Sequence, residues 1–246
     1  MLQRNIGVEI HVELDQNWRM IFVADHASRH IPDHVALGVP DEALHTHIAW
    51  DIGVDDLARR MAAACGAPVH LGHVSRLLID LNREQDAPGL IPEHSDGVVI
   101  PGNHGLSDAD RRARIDQYWR PYHDALAGLI DAARPGLLVS IHSFTPQLAT
   151  RPEEQRPWEI GVLYNEDDRA ARIAIPQLEA AGLITGDQLP YSGKLLNATM
   201  NRHGEGNGIP YLGLEVRQDL LADAAGVARM AGLLLPVIQH CRARLG

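Results

Sequence analysis

The nine residues "SRLLIDLNR" (75–83) place Arg76, Asp80, Asn82 and Arg83 beside an apolar run that reads as the start of a buried strand. Two guanidiniums, an amide and a carboxylate suit recognition of an acidic ligand. An Arg grips a carboxylate through two parallel hydrogen bonds. Asn82 and Arg83 together could hold the carboxylate of an amino acid. Arg76, close to a metal ion, could polarise a carbonyl and stabilise an oxyanion. In an extended strand Asp80 and Asn82 share one face, and Arg83 lies on the other or turns with the loop. Asp80 then orients an Arg from behind. A structural ion pair of Asp80 with one Arg would leave the other Arg and the amide unexplained.

Metal chemistry is the second theme. Zinc favours imidazole nitrogens and carboxylates, and a catalytic site keeps one position open for water. His26 follows the apolar run "MIFVAD", and His142 ends "LLVSIH". Each could serve as a ligand, or could simply hydrogen-bond at a strand end. Asp51 is the candidate carboxylate ligand, with His47 in reserve, and Asp51 could instead be a helix N-cap. Glu215 sits inside the apolar "YLGLEVR", where a charge needs a partner. Beside a metal-activated water it is a general base, and otherwise half of a buried ion pair with Arg217 or Arg83. Arg217 is a further candidate for holding a substrate carboxylate.

These residues must be positioned by a scaffold. Strands are expected at 20–25, 67–75, 137–142, 158–165 and 211–217. Helices are expected at 51–65 (Gly66 as its stop), 106–136 (capped by Ser107, broken or kinked at Pro121), 167–182, and 218–245 with an early bend. Alternation of this kind predicts an α/β fold: a single domain with a mixed, mainly parallel twisted sheet flanked by helices. Loops at 84–104, 143–157 and 190–210 are long enough to be binding elements. In open α/β sheets ligands sit beyond the carboxyl ends of the strands. His26, the 76–83 segment, His142 and Glu215 fall at such ends.

Composition narrows the partners. The net charge is −10 with histidines neutral, and the only lysine is Lys194. Such a chain is a poor match for nucleic acid or an anionic membrane. Cys65 and Cys241 are far apart and read as reduced thiols. No apolar run reaches the ~18 residues of a membrane span, and "MLQRNIGVEIHVELD" has no apolar signal core, so a cytoplasmic protein is expected. No HExxH, GxSxG, P-loop or GxGxxG pattern occurs.

The ordered set "DHASRHIP", "HIAWDIG", "SRLLIDLNR", "PGN", "YWRPYH", "SIHSFTP", "RPWEIGVL" and "LEVRQDL" resembles the N-formylglutamate amidohydrolase family, over about residues 21 to 221. The resemblance implies a zinc-carboxypeptidase-like (phosphorylase/hydrolase-like) α/β fold and one zinc ion. It implies hydrolysis of the amide between a small acyl group and an amino acid, with N-formyl-L-glutamate as the named substrate. Amino-acid catabolism, in particular histidine degradation, follows from the family name alone. Wider relatives, the aspartoacylases and succinylglutamate desuccinylases, share an Arg to Asp-Leu-Asn-Arg segment that handles substrate. They also share a late glutamate base. By resemblance these map to Arg76, Asp80, Asn82, Arg83 and Glu215. The relatives draw an imidazole and a carboxylate from one HxxE turn. Here Arg29 stands three after His26, so Asp51 takes the carboxylate place. Two other readings are a deacylase for a different N-acyl amino acid or short peptide, and a non-catalytic dicarboxylate-binding module.

Overall fold

In the computed structural model, residues 8–11 and 20–245 are described. The strands are β1 (Val8–His11), β2 (Met20–Ala24), β3 (Val69–Gly72), β4 (His94–Ser95), β5 (Val98–Val99), β6 (Leu137–Phe144), β7 (Ile160–Leu163), β8 (Thr185–Asp187) and β9 (Tyr211–Arg217). The helices are α1 (Val54–Cys65), α2 (Asp108–Arg114), α3 (Arg120–Ala133), α4 (Arg169–Ala180), α5 (Ala198–His203) and α6 (Ala224–Leu245). Seven strands form one sheet in the order β1-β3-β2-β6-β9-β7-β8. The β3–β2–β6–β9 centre is parallel, as is β7–β8, while β1–β3 and β7–β9 are antiparallel. The mainly parallel α/β sheet expected from the sequence is the one observed. β4 and β5 form a separate hairpin.

The central strands are apolar at nearly every position because both faces are covered. Met20, Phe22 and Ala24 of β2 pack with α1, α4 and α6, whereas Ile21 and Val23 pack with α3 and Met200 of α5. β6 divides in the same way, with Leu137, Val139 and Ile141 on the first face and Leu138 on the second. This two-residue alternation pins the register, since a slip by one would exchange the faces. α6 has a length and hydropathy that would allow a membrane crossing. In this fold its Val227, Leu234, Val237 and Ile238 belong to the core.

Two expectations need correction, and one about a helix break holds. Helix α1 starts at Val54 rather than Asp51, and its N-cap is Gly53 at φ +79°. A Cβ on Gly53 would lie 2.4 Å from Leu221 Cβ, so both conformation and space call for glycine. Asp51 is therefore not the cap. The 106–136 helix is interrupted just before Pro121, as expected. Ser107 and Asp110 form a reciprocal cap for α2, then Ile115–Trp119 makes a wide turn in which the Arg120 N–H reaches the Ile115 carbonyl. Proline lacks an N–H and crowds the preceding turn, which the wider coil relieves. Finally, 75–83 is not a strand. Leu78 N–H and Ile79 N–H both bond to the Ser75 carbonyl, and Asp80 N–H to the Leu90 carbonyl, so the backbone closes on itself in a buried turn.

Candidate active site

Because β2, β6 and β9 run parallel, their carboxyl ends meet at one edge of the sheet, and His26, His142 and Glu215 meet there too. His142 and Glu215 are register partners on adjacent strands. His26 follows the end of β2, where β3 approaches closely: a Cβ on Gly72 would lie 2.0 Å from the Asp25 carbonyl. Asp51 is brought in by its backbone N–H, which donates to the His26 carbonyl at 2.9 Å, and the 75–83 turn is tied alongside by Arg76 N–H to the Ala49 carbonyl.

The side chains then interlock. Asp51 Oδ2 lies 2.8 Å from His142 Nδ1 and 3.4 Å from His26 Nδ1, and its Oδ1 accepts from Arg76 Nη1 at 3.1 Å. Each imidazole offers its other nitrogen to a second carboxylate. His26 Nε2 is 2.7 Å from Asp80 Oδ1 in a hydrogen bond, and His142 Nε2 approaches Asp25 Oδ2 at 3.2 Å as an ion pair without hydrogen-bond alignment. Arg76 Nη2 donates to Asp80 Oδ2 at 3.0 Å. Asp80 thus bonds both Arg76 and His26.

Burial would raise the carboxylate pKa values, but the imidazoles and Arg76 outweigh it and hold Asp25, Asp51 and Asp80 well below the usual range. Burial would likewise lower the imidazoles, but the surrounding carboxylates prevail and push both upward, His142 strongly. Three ionised carboxylates against one partly exposed guanidinium leave two negative charges. Two protonated imidazoles can balance them, and so can one divalent cation with both imidazoles neutral. The two Nδ1 atoms and the Asp51 carboxylate can serve one ion, with donor atoms within 4.8 Å of one another. Carboxylates on the remaining imidazole nitrogens are the usual support for ligating histidines. The donor set fits zinc.

Glu215 completes the group. It is 8% exposed, and its Oε2 has no hydrogen-bond partner. Burial first, then the charge of Asp51, raises its pKa to about 7, against the pull of His142, Arg76 and His26. The ion pair with Arg217 or Arg83, weighed as an alternative, is not formed.

These residues border a cavity of about 380 Å³ that Asn82 and Arg83 also line. Asn82 Oδ1 accepts from Thr199 N–H at 3.0 Å, which leaves its amide N–H groups for a ligand. Among the described residues the Arg83 guanidinium has one ion-pair contact, at 3.9 Å with Asp80. Arg217 lies elsewhere: it forms a bidentate pair with Asp219 at 2.7 and 3.1 Å and is not among the cavity residues. β9 ends at Arg217, and the following turn supplies its partner. His47 lines the cavity but pairs with Asp96 at 3.0 Å, apart from the metal-competent group.

Sequence reasoning missed Asp25, which is 0% exposed and accepts at Oδ1 from the Tyr122 and Thr199 hydroxyls, each at 2.7 Å. Its adjacency to His26 was the available signal. It also missed Tyr191, a cavity residue whose hydroxyl accepts from Arg156 Nη1 at 2.9 Å.

Residues 18–222 match the sequence profile of the N-formylglutamate amidohydrolase family. The chain belongs to that family. This N-formylglutamate amidohydrolase family member is 30% identical to a gene product of Agrobacterium tumefaciens of known crystal structure. The similarity covers 97% of this chain and 95% of that one, with a TM-score of 0.88. The N-formylglutamate amidohydrolase of Ralstonia eutropha JMP134 shares the fold at a TM-score of 0.78, with 20% identity over 97% of this chain and 98% of that one. Among curated proteins none matches. Family membership makes the chain an amidohydrolase, acting on a small molecule.

Proposed function

We propose that this amidohydrolase is zinc-dependent and cleaves the amide of an N-acyl amino acid, with N-formyl-L-glutamate as substrate and L-glutamate and formate as products. The observation that carries the reading is the meeting of His26, Asp51 and His142 with the unpartnered Glu215 carboxylate at one cavity wall. A zinc ion held by these three residues would acidify a water and polarise the scissile carbonyl. Glu215, poised near neutrality by burial, accepts the proton of the attacking water and passes one to the leaving amine. Arg76 presents its remaining N–H groups to the developing oxyanion, since Asp51 and Asp80 each occupy only one. Arg83 and the Asn82 amide hold the carboxylates of the amino acid. Asp80 and Asp25 fix the two imidazoles from behind. Two free thiols suit a cytoplasmic enzyme, and the products suit amino-acid catabolism such as histidine degradation.

The test is a panel of N-formyl, N-acetyl and N-succinyl derivatives of glutamate and aspartate, with purified protein of measured metal content. The expected result is one zinc per chain and the highest kcat/KM on N-formyl-L-glutamate. Preference for another member of the panel would reassign the acyl group. Absence of both metal and turnover would leave a dicarboxylate-binding module.

A further inference from the structure

His47 and Asp96 face the cavity but have no role in the scheme above. Asp96 occupies the "DG" turn between β4 and β5 at φ +41°, a backbone conformation that L residues other than glycine rarely adopt. Its carboxylate is fully engaged. Oδ1 accepts from Thr150 N–H at 2.9 Å and from Thr150 Oγ1 at 2.7 Å. Oδ2 accepts from Ala149 N–H at 2.8 Å and meets His47 Nε2 at 3.0 Å. Burial opposes ionisation, but these donors hold Asp96 down to about 2. An ionised carboxylate only accepts, so the proton of the neutral His47 ring sits on Nε2. Burial first, then Arg76 and Arg156, keep His47 below its ordinary value despite Asp96, so the ring is neutral at neutral pH. Nδ1 is then a bare acceptor, with no protein hydrogen-bond partner among the described residues.

The rest of the cavity is rich in donors. Arg76, Arg83 and the Asn82 amide can serve carboxylates and a carbonyl. The carboxylates that border the cavity are engaged by protein groups: Asp51 by Arg76 and the two imidazoles, and Asp80 by Arg76, His26 and the Asn82 N–H. Asn82 Oδ1 is taken by Thr199. Glu215 is committed to the water. An N-acyl amino acid brings one N–H at the bond to be cut, and that donor needs an acceptor.

We propose that His47 Nδ1 accepts the N–H of the scissile amide, and that Asp96 is the positioning residue that fixes the tautomer and orientation of the His47 ring. This inference rests on the amide-hydrolysis reading. It predicts that the site discriminates between an amide and the corresponding oxygen ester, which has no N–H.

The experiment compares N-formyl-L-glutamate with its ester counterpart, O-formyl-2-hydroxyglutarate, on zinc-loaded protein. His47→Gln keeps a donor for Asp96 but places no acceptor at the Nδ1 position. It should lower kcat/KM on the amide about 10-fold, the worth of one hydrogen bond, and leave the ester within about 2-fold. His47→Asn, which keeps an amide group near the Nδ1 position, should recover part of the amide activity. Asp96→Asn, which tolerates the tautomer with its proton on Nδ1, should mimic His47→Gln on the amide. Equal losses on amide and ester, or no loss on either, would overturn the inference. So would a drop in zinc content, which would make His47 a metal ligand. Zinc-loaded parent protein without activity on any N-acyl amino acid would remove the functional reading and this inference together, a result distinct from any change between parent and variant.

Discussion

Replacing Glu215 with Gln should have opposite effects on activity and on stability. In the fold the Glu215 carboxyl ionises at about 7, against 4.5 for an unperturbed glutamate, with burial as the main cause. The folded chain therefore resists ionising a group that the unfolded chain ionises freely. Below pH 4.5 both states hold the proton and no cost arises. Between 4.5 and about 7 the unfolded state gains from ionisation, and the parent loses stability. The difference corresponds to about 3 kcal/mol once the pH exceeds both values. Gln at this position cannot ionise and escapes that loss, although its unpaired amide costs roughly 1–3 kcal/mol at every pH. Urea unfolding of metal-free parent and Glu215→Gln at pH 4.5 and pH 8 should show the variant gaining on the parent by up to about 3 kcal/mol across that interval. At full zinc occupancy the same variant should lose roughly 10²–10⁴-fold in kcat, the usual worth of a positioned general base. A stability difference that does not change with pH would refute the burial argument. A kcat within a few-fold of the parent would remove Glu215 from the chemistry. A structural ion pair would give the reverse pattern, with the variant losing on the parent as pH rises.

The kcat–pH profile should fall on its acid side at or somewhat below pH 7, because Glu215 must be unprotonated to accept a proton and a bound cation lowers its value further; stopped assays from pH 5 to 9 would show this. Asp80→Ala removes the partner of His26 Nε2 and of Arg76, so zinc affinity measured by chelator competition should weaken about 10–100-fold. Both imidazoles titrate above their ordinary value in the metal-free fold, so their contribution is complete below pH 6.5 and is lost as pH rises through the elevated values. Chelator-treated protein should accordingly melt lower at pH 9 than at pH 6, while zinc-loaded protein should be held up by binding, by about 4 kcal/mol at a thousand-fold excess over Kd. Arg217→Ala should leave KM for N-formyl-L-glutamate within about 2-fold, because Asp219 already occupies that guanidinium.

What could be read from the chain depended on how local the cause was. β2, β6 and β9 were legible because burial on both faces makes their sequences almost continuously apolar, and His26, His142 and Glu215 stood out at or near the ends of those runs. The 75–83 stretch misled because Leu77, Leu78 and Ile79 are as apolar as a strand, yet they are buried by a turn that packs Leu78 and Ile79 against Tyr118, Trp119 and Tyr122 and Leu77 against Leu37, Ile48 and Ile100. No period in nine residues reveals that. Asp25 was hidden for a related reason. Its partners Tyr122 and Thr199 lie 97 and 174 residues away, so only the assembled fold shows that it is held from behind. Arg217 failed the other way. It stands two residues after Glu215, but β9 ends at Arg217 and Asp219 in the following turn captures its guanidinium. The hairpin carrying Asp96 had a plain signal in "SDGV", an Asp-Gly turn between short extended residues.

Two of the bonds that Thr199 makes join separate parts of the site. Its hydroxyl grips Asp25, which steadies His142, while its backbone N–H holds the Asn82 side chain at the ligand-facing wall. One residue on a six-residue helix thereby joins the side chain proposed to read the substrate to the carboxylate that faces a proposed metal ligand. A lineage that reshaped this corner to admit a different acid would also shift the grip on the ion, so changes of specificity and changes of metal affinity should arrive together.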